Sequence, residues 1–114
     1  MSKLDDAVGE ALSCLSKCGV DDVDVDLLRK VTHGLGPSAY GGDGENVACS
    51  DDSELARIRT NYLVKKLGLE DADATMDSIQ AVCATMKPAG SHKRRSAFYY
   101  LLATHHGKES VYDG

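Results

Sequence analysis

Four stretches of this 114-residue chain carry a helix-like apolar stripe and then stop at a glycine that lies shortly after a cationic side chain. Glycine takes the left-handed conformation that lets the chain leave the last turn of a helix without a steric penalty. A positive charge there interacts favourably with the negative end of the helix dipole. The pattern therefore indicates four helix C-termini, at Gly19, Gly34, Gly68 and Gly107.

The composition agrees with a helical core. Apolar residues make up 42% of the chain, but it has one Phe and no Trp, so the core must consist mainly of aliphatic side chains. Such side chains suit helices packed on helices. We expect an all-α fold, a compact bundle of about five helices in a single domain over residues 1–114. The net charge of −5 argues against a general polyanion-binding protein.

The apolar spacing predicts helices at about 2–18, 26–33, 51–67, 74–87 and 91–106. The third begins with a capping-box pattern, in which Asp51 caps the helix and Glu54 reaches back. The fifth contains seven consecutive apolar or aromatic residues and is expected at the centre of the bundle. On this helix we expect Tyr100 to point outward, opposite the principal apolar stripe.

A glycine-rich segment at 34–50 connects the second and third predicted helices. A loop longer than about 12–15 residues is uncommon in a compact domain and is usually functional or mobile. The segment is therefore a candidate site, with Ser38 and Tyr40 as candidate binding residues. We expect Tyr40 and Val47 to attach it to the core.

Lys93, Arg94 and Arg95 lie at the start of the fifth predicted helix, where cations oppose the helix dipole. An anionic partner would offset this cost. It could be an acidic stretch of the same chain, such as 21–26 or 71–77, a protein partner, or the phosphates of a nucleic acid. With aromatic residues including Tyr100 nearby, the segment loosely resembles a nucleic-acid surface.

No metal or cofactor site emerges from the sequence. Without a signal segment we expect the four cysteines to be free thiols, although their even number would permit two disulfides. Cys14 and Cys18 lie one helical turn apart, a spacing that resembles half a metal site but also fits small hydrophobic residues beside the core. Two acidic runs resemble calcium loops and lack the required glycine or ligand positions.

No local catalytic motif is present either. An enzyme site between the glycine-rich segment and the C-terminal tail would require His33, Ser38, Lys108 and Glu109 to converge. Lys108 and Glu109 are therefore further candidate binding residues. The apolar residues of the tail are expected to fold back onto the body.

Several motifs together resemble a small bacterial family carried as a domain of unknown function. The resemblance rests mainly on a GPSxY loop at 36–40, a YYLL motif at 99–102 and a GKESVY tail at 107–112. It implies a bacterial, cytoplasmic setting, and it implies no catalytic residues, because no activity of the family can be transferred.

The sequence leaves two functions open. The first is a non-enzymatic helical module that binds a protein partner or a second copy of itself. The alternative is a nucleic-acid or phosphate-ligand binder that uses the basic start of the last helix. No stretch approaches the roughly 20 apolar residues of a membrane span, and no signal region is visible, so we expect a cytoplasmic protein with no membrane contact.

Overall fold

The computed structural model describes residues 3–35, 46–70, 76–90 and 92–112. These ranges contain five α-helices and no strand: α1 (Lys3–Lys17), α2 (Val25–Leu35), α3 (Asp52–Ile58), α4 (Met76–Thr85) and α5 (Arg95–His105). A π-helix (Arg59–Val64) continues α3, and 3₁₀ turns (Lys87–Ala89 and Glu109–Tyr112) follow α4 and α5. The predicted all-α fold with five helices is confirmed. Most of the predicted glycine-rich loop lies outside the described residues.

Helix α5 is the centre of the bundle. It packs against α1, α2 and α4, and the side chains of Phe98 and Leu102 are fully buried. The apolar faces of the surrounding helices meet α5 in one cluster of buried residues. Burial of apolar area at roughly 25 cal/mol per Å² is the main force that holds such a bundle together.

The expectation that Tyr100 points outward is wrong. Its side chain is 5% exposed, because α5 is covered on several sides by other helices. The hydroxyl of Tyr100 accepts a hydrogen bond of 3.0 Å from the backbone N–H of Asp24. Asp24 in turn accepts from Leu27 N–H through its carboxylate, at 3.1 Å. Tyr100 therefore attaches the central helix to the start of α2 and is not available to a partner.

Three of the four predicted glycine stops are confirmed. Gly19, Gly68 and Gly107 have positive φ angles. At Gly19 the following residue, Val20, donates through its N–H to Leu15 O at 2.9 Å, the long hydrogen bond of a Schellman cap. The prediction for Gly34 is wrong, since α2 continues through it to Leu35.

The start of α3 is capped as predicted, but only by one side chain. Asp51 accepts hydrogen bonds from Ser53 N–H and Glu54 N–H, at 3.0 and 3.3 Å. Glu54 does not reach back to complete the box. Its carboxylate pairs instead with Arg95 on α5, because the packing of the bundle places that guanidinium against it.

The expectation of four free thiols is wrong for two of them. Cys49, before α3, forms a disulfide with Cys83 of α4. The absence of a signal segment says nothing about which cysteines the fold brings together, and here the two Cα atoms lie 6.0 Å apart, within disulfide range. Cys14 and Cys18 are free, and Cys14 is buried in the core, as the interpretation as small hydrophobic residues predicts.

Within the described ranges, no helix combines the length and the apolar character needed to cross a bilayer.

Candidate functional site

The basic start of α5 is largely engaged within the chain. Arg94 lies 3.5 Å from the carboxylate of Glu10 on α1. Arg95 forms an ion pair with Glu54. The ammonium group of Lys93 donates to the carbonyl of Gly90, three residues earlier. The described anionic partners of the two arginines come from α1 and α3, and most of the acidic stretch considered at 71–77 lies outside the described residues.

The Arg95–Glu54 ion pair is mostly removed from solvent. The two side chains are 13% and 16% exposed, and Arg95 also donates to the hydroxyl of Tyr99 at 3.3 Å and to the carbonyl of Asn46 at 3.4 Å. Burial lowers the pKa of Arg95, but the interactions of its guanidinium with Glu54 and Tyr99 together outweigh burial, and the net pKa is raised. These contacts attach α5 to α3 and, through Asn46, to the segment before α3. Arg95 therefore stabilises the fold.

Two of the remaining candidates from the sequence, Lys108 and Glu109, lie in the described C-terminal tail. Ser38 and Tyr40 lie outside the described residues. Val47, at the end of the glycine-rich segment, is buried as expected and donates through its N–H to the carbonyl of Lys93 at 2.8 Å. In the tail, Lys108 is half-buried and Glu109 is exposed. The apolar tail residues pack against the core as expected.

A different set of residues forms a basic groove of about 500 Å³ between α2, the turn after the π-helix and the C-terminal 3₁₀ turn. We call this the basic groove. Its polar wall consists of Arg29, Lys30, His33 and Lys66, and its apolar wall of Leu4, Val111 and Tyr112. None of the described residues that line it is acidic. On a chain with a net charge of −5, such a concentration of cationic side chains favours an anion.

Local sequence explains how the cations converge. Arg29 and His33 are four residues apart on α2 and therefore share a face. Arg29 is already paired with Asp5 of α1 at 2.6 Å. Lys66 comes from the turn after the π-helix, and its ammonium group lies 4.9 Å from the centre of the Tyr112 ring. This cation–π contact holds Lys66 beside the groove.

Lys30 and Lys66 supply the uncommitted charge of the groove. Neither forms an ion pair with a carboxylate among the described residues. Their ammonium groups each carry three donors. An anion in the basic groove could therefore receive hydrogen bonds from two lysines that come from different elements of the fold.

Tyr112 belongs to a cluster of three tyrosines, with Tyr62 on the π-helix and Tyr99 on α5, which we call the tyrosine cluster. The hydroxyl of Tyr62 donates to the carbonyl of Tyr99 at 3.1 Å and lies 2.7 Å from the hydroxyl of Tyr112. A hydroxyl has one hydrogen. Because the hydrogen of Tyr62 goes to the carbonyl, the hydroxyl of Tyr112 must donate to Tyr62.

The electrostatics of the tyrosine cluster favour neutral side chains. Burial raises the pKa of Tyr62 far above its ordinary value, and the nearby hydroxyl of Tyr112 adds to the effect. Burial also raises the pKa of Tyr112 and of Tyr99, where Arg95 opposes it. The cluster thus provides a neutral, hydrogen-bonded wall next to the cations of the basic groove.

Sequence reasoning did not identify the basic groove as a site. In the linear sequence, the cations before Gly34 and Gly68 indicate only favourable interactions with helix dipoles. His33, a member of the hypothetical enzyme site, does line the groove beside Val111 and Tyr112 of the tail. The sequence does predict that the apolar residues of the tail fold back onto the body. It does not indicate that they pack beside α2.

A second large cavity, of about 720 Å³, lies along α1 and the segment before α5. Its lining mixes Asp5, Asp6 and Glu10 with Lys17 and Arg94, so its charges offset one another and favour no ligand class. Across the described ranges, no three His, Cys, Asp or Glu side chains are placed to hold a metal ion.

A comparison with curated proteins finds no relative that matches this chain. A family model, described as a protein of unknown function (DUF2853), matches residues 11–110. That range includes the tyrosine cluster except for Tyr112, and most of the basic groove. Since the match spans most of the 114 residues, the chain belongs to the DUF2853 family of proteins of unknown function.

Proposed function

We propose that this protein is a non-enzymatic binding module that holds an anionic small molecule in the basic groove. The observation that carries the proposal is the convergence of Lys30, His33 and Lys66 on a cavity of about 500 Å³ with no acidic residue in its described lining. Cavities of roughly 300–1,000 Å³ are typical of small-molecule sites. The phosphate-binding alternative from the sequence thereby moves from the start of α5 to the end of α2.

The experiment is a titration of ¹⁵N-labelled protein with inorganic phosphate, followed by NMR chemical shifts at low salt. We expect shifts at residues 29–34, 65–67 and 111–112. Lys30→Ala and Lys66→Ala should each weaken binding by about three- to tenfold, since a solvent-exposed hydrogen bond contributes about 0.5–1.5 kcal/mol net. Lys87→Ala is the matched control, because Lys87 is an exposed lysine outside the groove.

Two results would overturn the proposal. One is a titration without shifts at these residues. The other is equal weakening by Lys87→Ala, which would indicate general attraction to positive charge. A salt titration adds a further check, because binding to exposed cations is screened as ionic strength rises.

Interaction with a protein partner, or with a second copy of the chain as a homodimer, is a separate proposal. Val25 is the one large hydrophobic side chain that is exposed among the described residues, at 47%. A partner would therefore have to recognise mainly polar and charged groups. Light scattering at increasing protein concentration tests self-association. A mass that stays at that of a monomer would rule out the homodimer.

We also propose a cytoplasmic location in a bacterial cell. The Cys49–Cys83 disulfide opposes this, because cytosolic thiols are usually kept reduced. The proposal therefore requires that the two cysteines be reduced in the cell. Acid quenching of intact cells, followed by alkylation of the thiols in denaturant and mass spectrometry, would show four free thiols if the proposal holds and two if it fails.

A further inference from the structure

A second, smaller cavity adjoins the basic groove. Its volume is about 220 Å³, and we call it the aromatic compartment. It shares Gly34, Lys66 and Tyr112 with the basic groove. The two cavities therefore adjoin each other at these three residues.

The chemistry of the aromatic compartment differs from that of the groove. Beyond the shared residues it is lined by Leu35, Asn61, Tyr62 and Tyr99. The rings of Tyr62 and Tyr99 pack against each other, with their centroids 4.2 Å apart and their planes tilted by 35°, and both residues are largely buried. Flat aromatic walls bind planar rings well, and stacking of a nucleic-acid base on such a side chain contributes about 1–3 kcal/mol.

Two polar groups at the compartment are suited to the edge of a heterocycle. The exposed side chain of Asn61 offers both a hydrogen-bond donor and an acceptor. The hydroxyl of Tyr112 gives its hydrogen to Tyr62, so its remaining lone pairs can accept a hydrogen bond. An uncharged ring whose edge carries N–H donors and a ring-nitrogen or carbonyl acceptor would satisfy both.

The π-helix Arg59–Val64 is an independent sign that this place is functional. π-helical turns are rare and occur frequently at functional sites. Each added residue rotates the following side chains by roughly 100° around the helix axis. Here the π-helix carries Asn61 and Tyr62, the two residues that bring polar and aromatic groups to the compartment from this element.

From this arrangement we propose that the ligand is a planar nitrogen heterocycle joined to a phosphate, as in a nucleoside monophosphate. This inference rests on the proposed function, since the phosphate would occupy the basic groove between Lys30 and Lys66. The ring would lie in the aromatic compartment, with its polar edge toward Asn61. Tyr112 stands at the junction of the two parts.

The experiment compares four probes by calorimetric or NMR titration: inorganic phosphate, phenyl phosphate, adenosine monophosphate and adenosine. We expect adenosine monophosphate to bind at least tenfold more tightly than inorganic phosphate, with phenyl phosphate between them and adenosine weakest. Asn61→Ala should remove the advantage of adenosine monophosphate over phenyl phosphate and leave phosphate binding unchanged. Gln80→Ala, an exposed amide on α4, is the matched control and should change none of the affinities.

The outcomes separate the two proposals. If inorganic phosphate binds and neither ring-bearing probe binds more tightly, the heterocycle inference is overturned and the anion-binding function stands. If phenyl phosphate and adenosine monophosphate bind equally, the ring is held by stacking alone and the assignment of a nitrogen heterocycle is overturned. If no phosphate-bearing probe binds, the proposed function itself fails.

Discussion

Reduction of the Cys49–Cys83 disulfide should destabilise the protein by an amount that can be worked out from the chain. The bond closes a loop with a sequence separation of 34 residues. In the chain-entropy model, opening a loop of this length restores unfolded-state entropy worth about 4 kcal/mol at 25 °C. Single domains have total stabilities of roughly 5–15 kcal/mol, so the effect is a large part of the whole.

The assay is urea unfolding followed by circular dichroism, with and without a phosphine reductant. With a slope of about 1.5–2 kcal/mol per M, the midpoint should fall by roughly 2–3 M on reduction. The double variant Cys49→Ser/Cys83→Ser should match the reduced protein, and reductant should not shift its midpoint further. Cys18→Ser, at a half-buried free thiol, is the control that retains the disulfide.

A thiol count in denaturant completes the test. We expect two reactive thiols in the oxidised protein and four after reduction. Four thiols without reductant would show that the disulfide is absent. An unchanged urea midpoint after reduction would show that the disulfide does not stabilise the folded protein.

Three further predictions concern other contacts of the fold. Arg95→Met leaves Glu54 without its cation and should lower the free energy of unfolding by about 2–3 kcal/mol. The control variant Lys93→Met should lower it by less than about 0.5 kcal/mol. Equal effects of the two variants in urea unfolding would contradict the structural role of the ion pair. Gly34→Ala should raise the free energy of unfolding by about 0.5–1 kcal/mol. Gly34 is helical, and an added Cβ would lie at an ordinary contact distance of 3.7 Å from Tyr112. A lower free energy of unfolding would contradict the helical assignment. Burial raises the pKa values of the tyrosine cluster, so the unfolded chain loses those protons at lower pH than the folded protein. The free energy of unfolding should therefore fall as pH rises above about 10, and tyrosinate absorbance at 295 nm should appear together with unfolding. Ionisation of all five tyrosines while the protein is still folded would contradict this prediction.

Much of the helical architecture could be predicted from the sequence because it depends on local chemistry. Glycine stops, apolar spacing and the side-chain cap of Asp51 each act within one or two turns, and the structure contains all of them apart from the stop at Gly34. That exception is also physical. A glycine after cations resembles a helix end, but in the tertiary structure Tyr112 packs beside it and α2 continues.

The contacts between distant parts of the chain could not be predicted in the same way. The pairing of Arg95 with Glu54 joins residues 41 positions apart, and the spacing of charges within α5 does not indicate it. The basic groove likewise requires α2 and Lys66 to meet the folded tail. The expectation that Tyr100 points outward assumes that α5 buries a single apolar stripe. Other helices cover α5 on several sides, so Tyr100 is buried as well.

The claim at the centre of this account is that the basic groove binds an anion, and a crystal grown with selenate tests it most directly. Selenate resembles phosphate in shape and charge and is located by the anomalous scattering of its selenium. We predict an anomalous peak with its oxygens roughly 3 Å from the ammonium groups of Lys30 and Lys66, which disappears in the Lys30→Ala/Lys66→Ala double variant. An empty groove at high selenate concentration, or a peak only at the start of α5, would contradict the account.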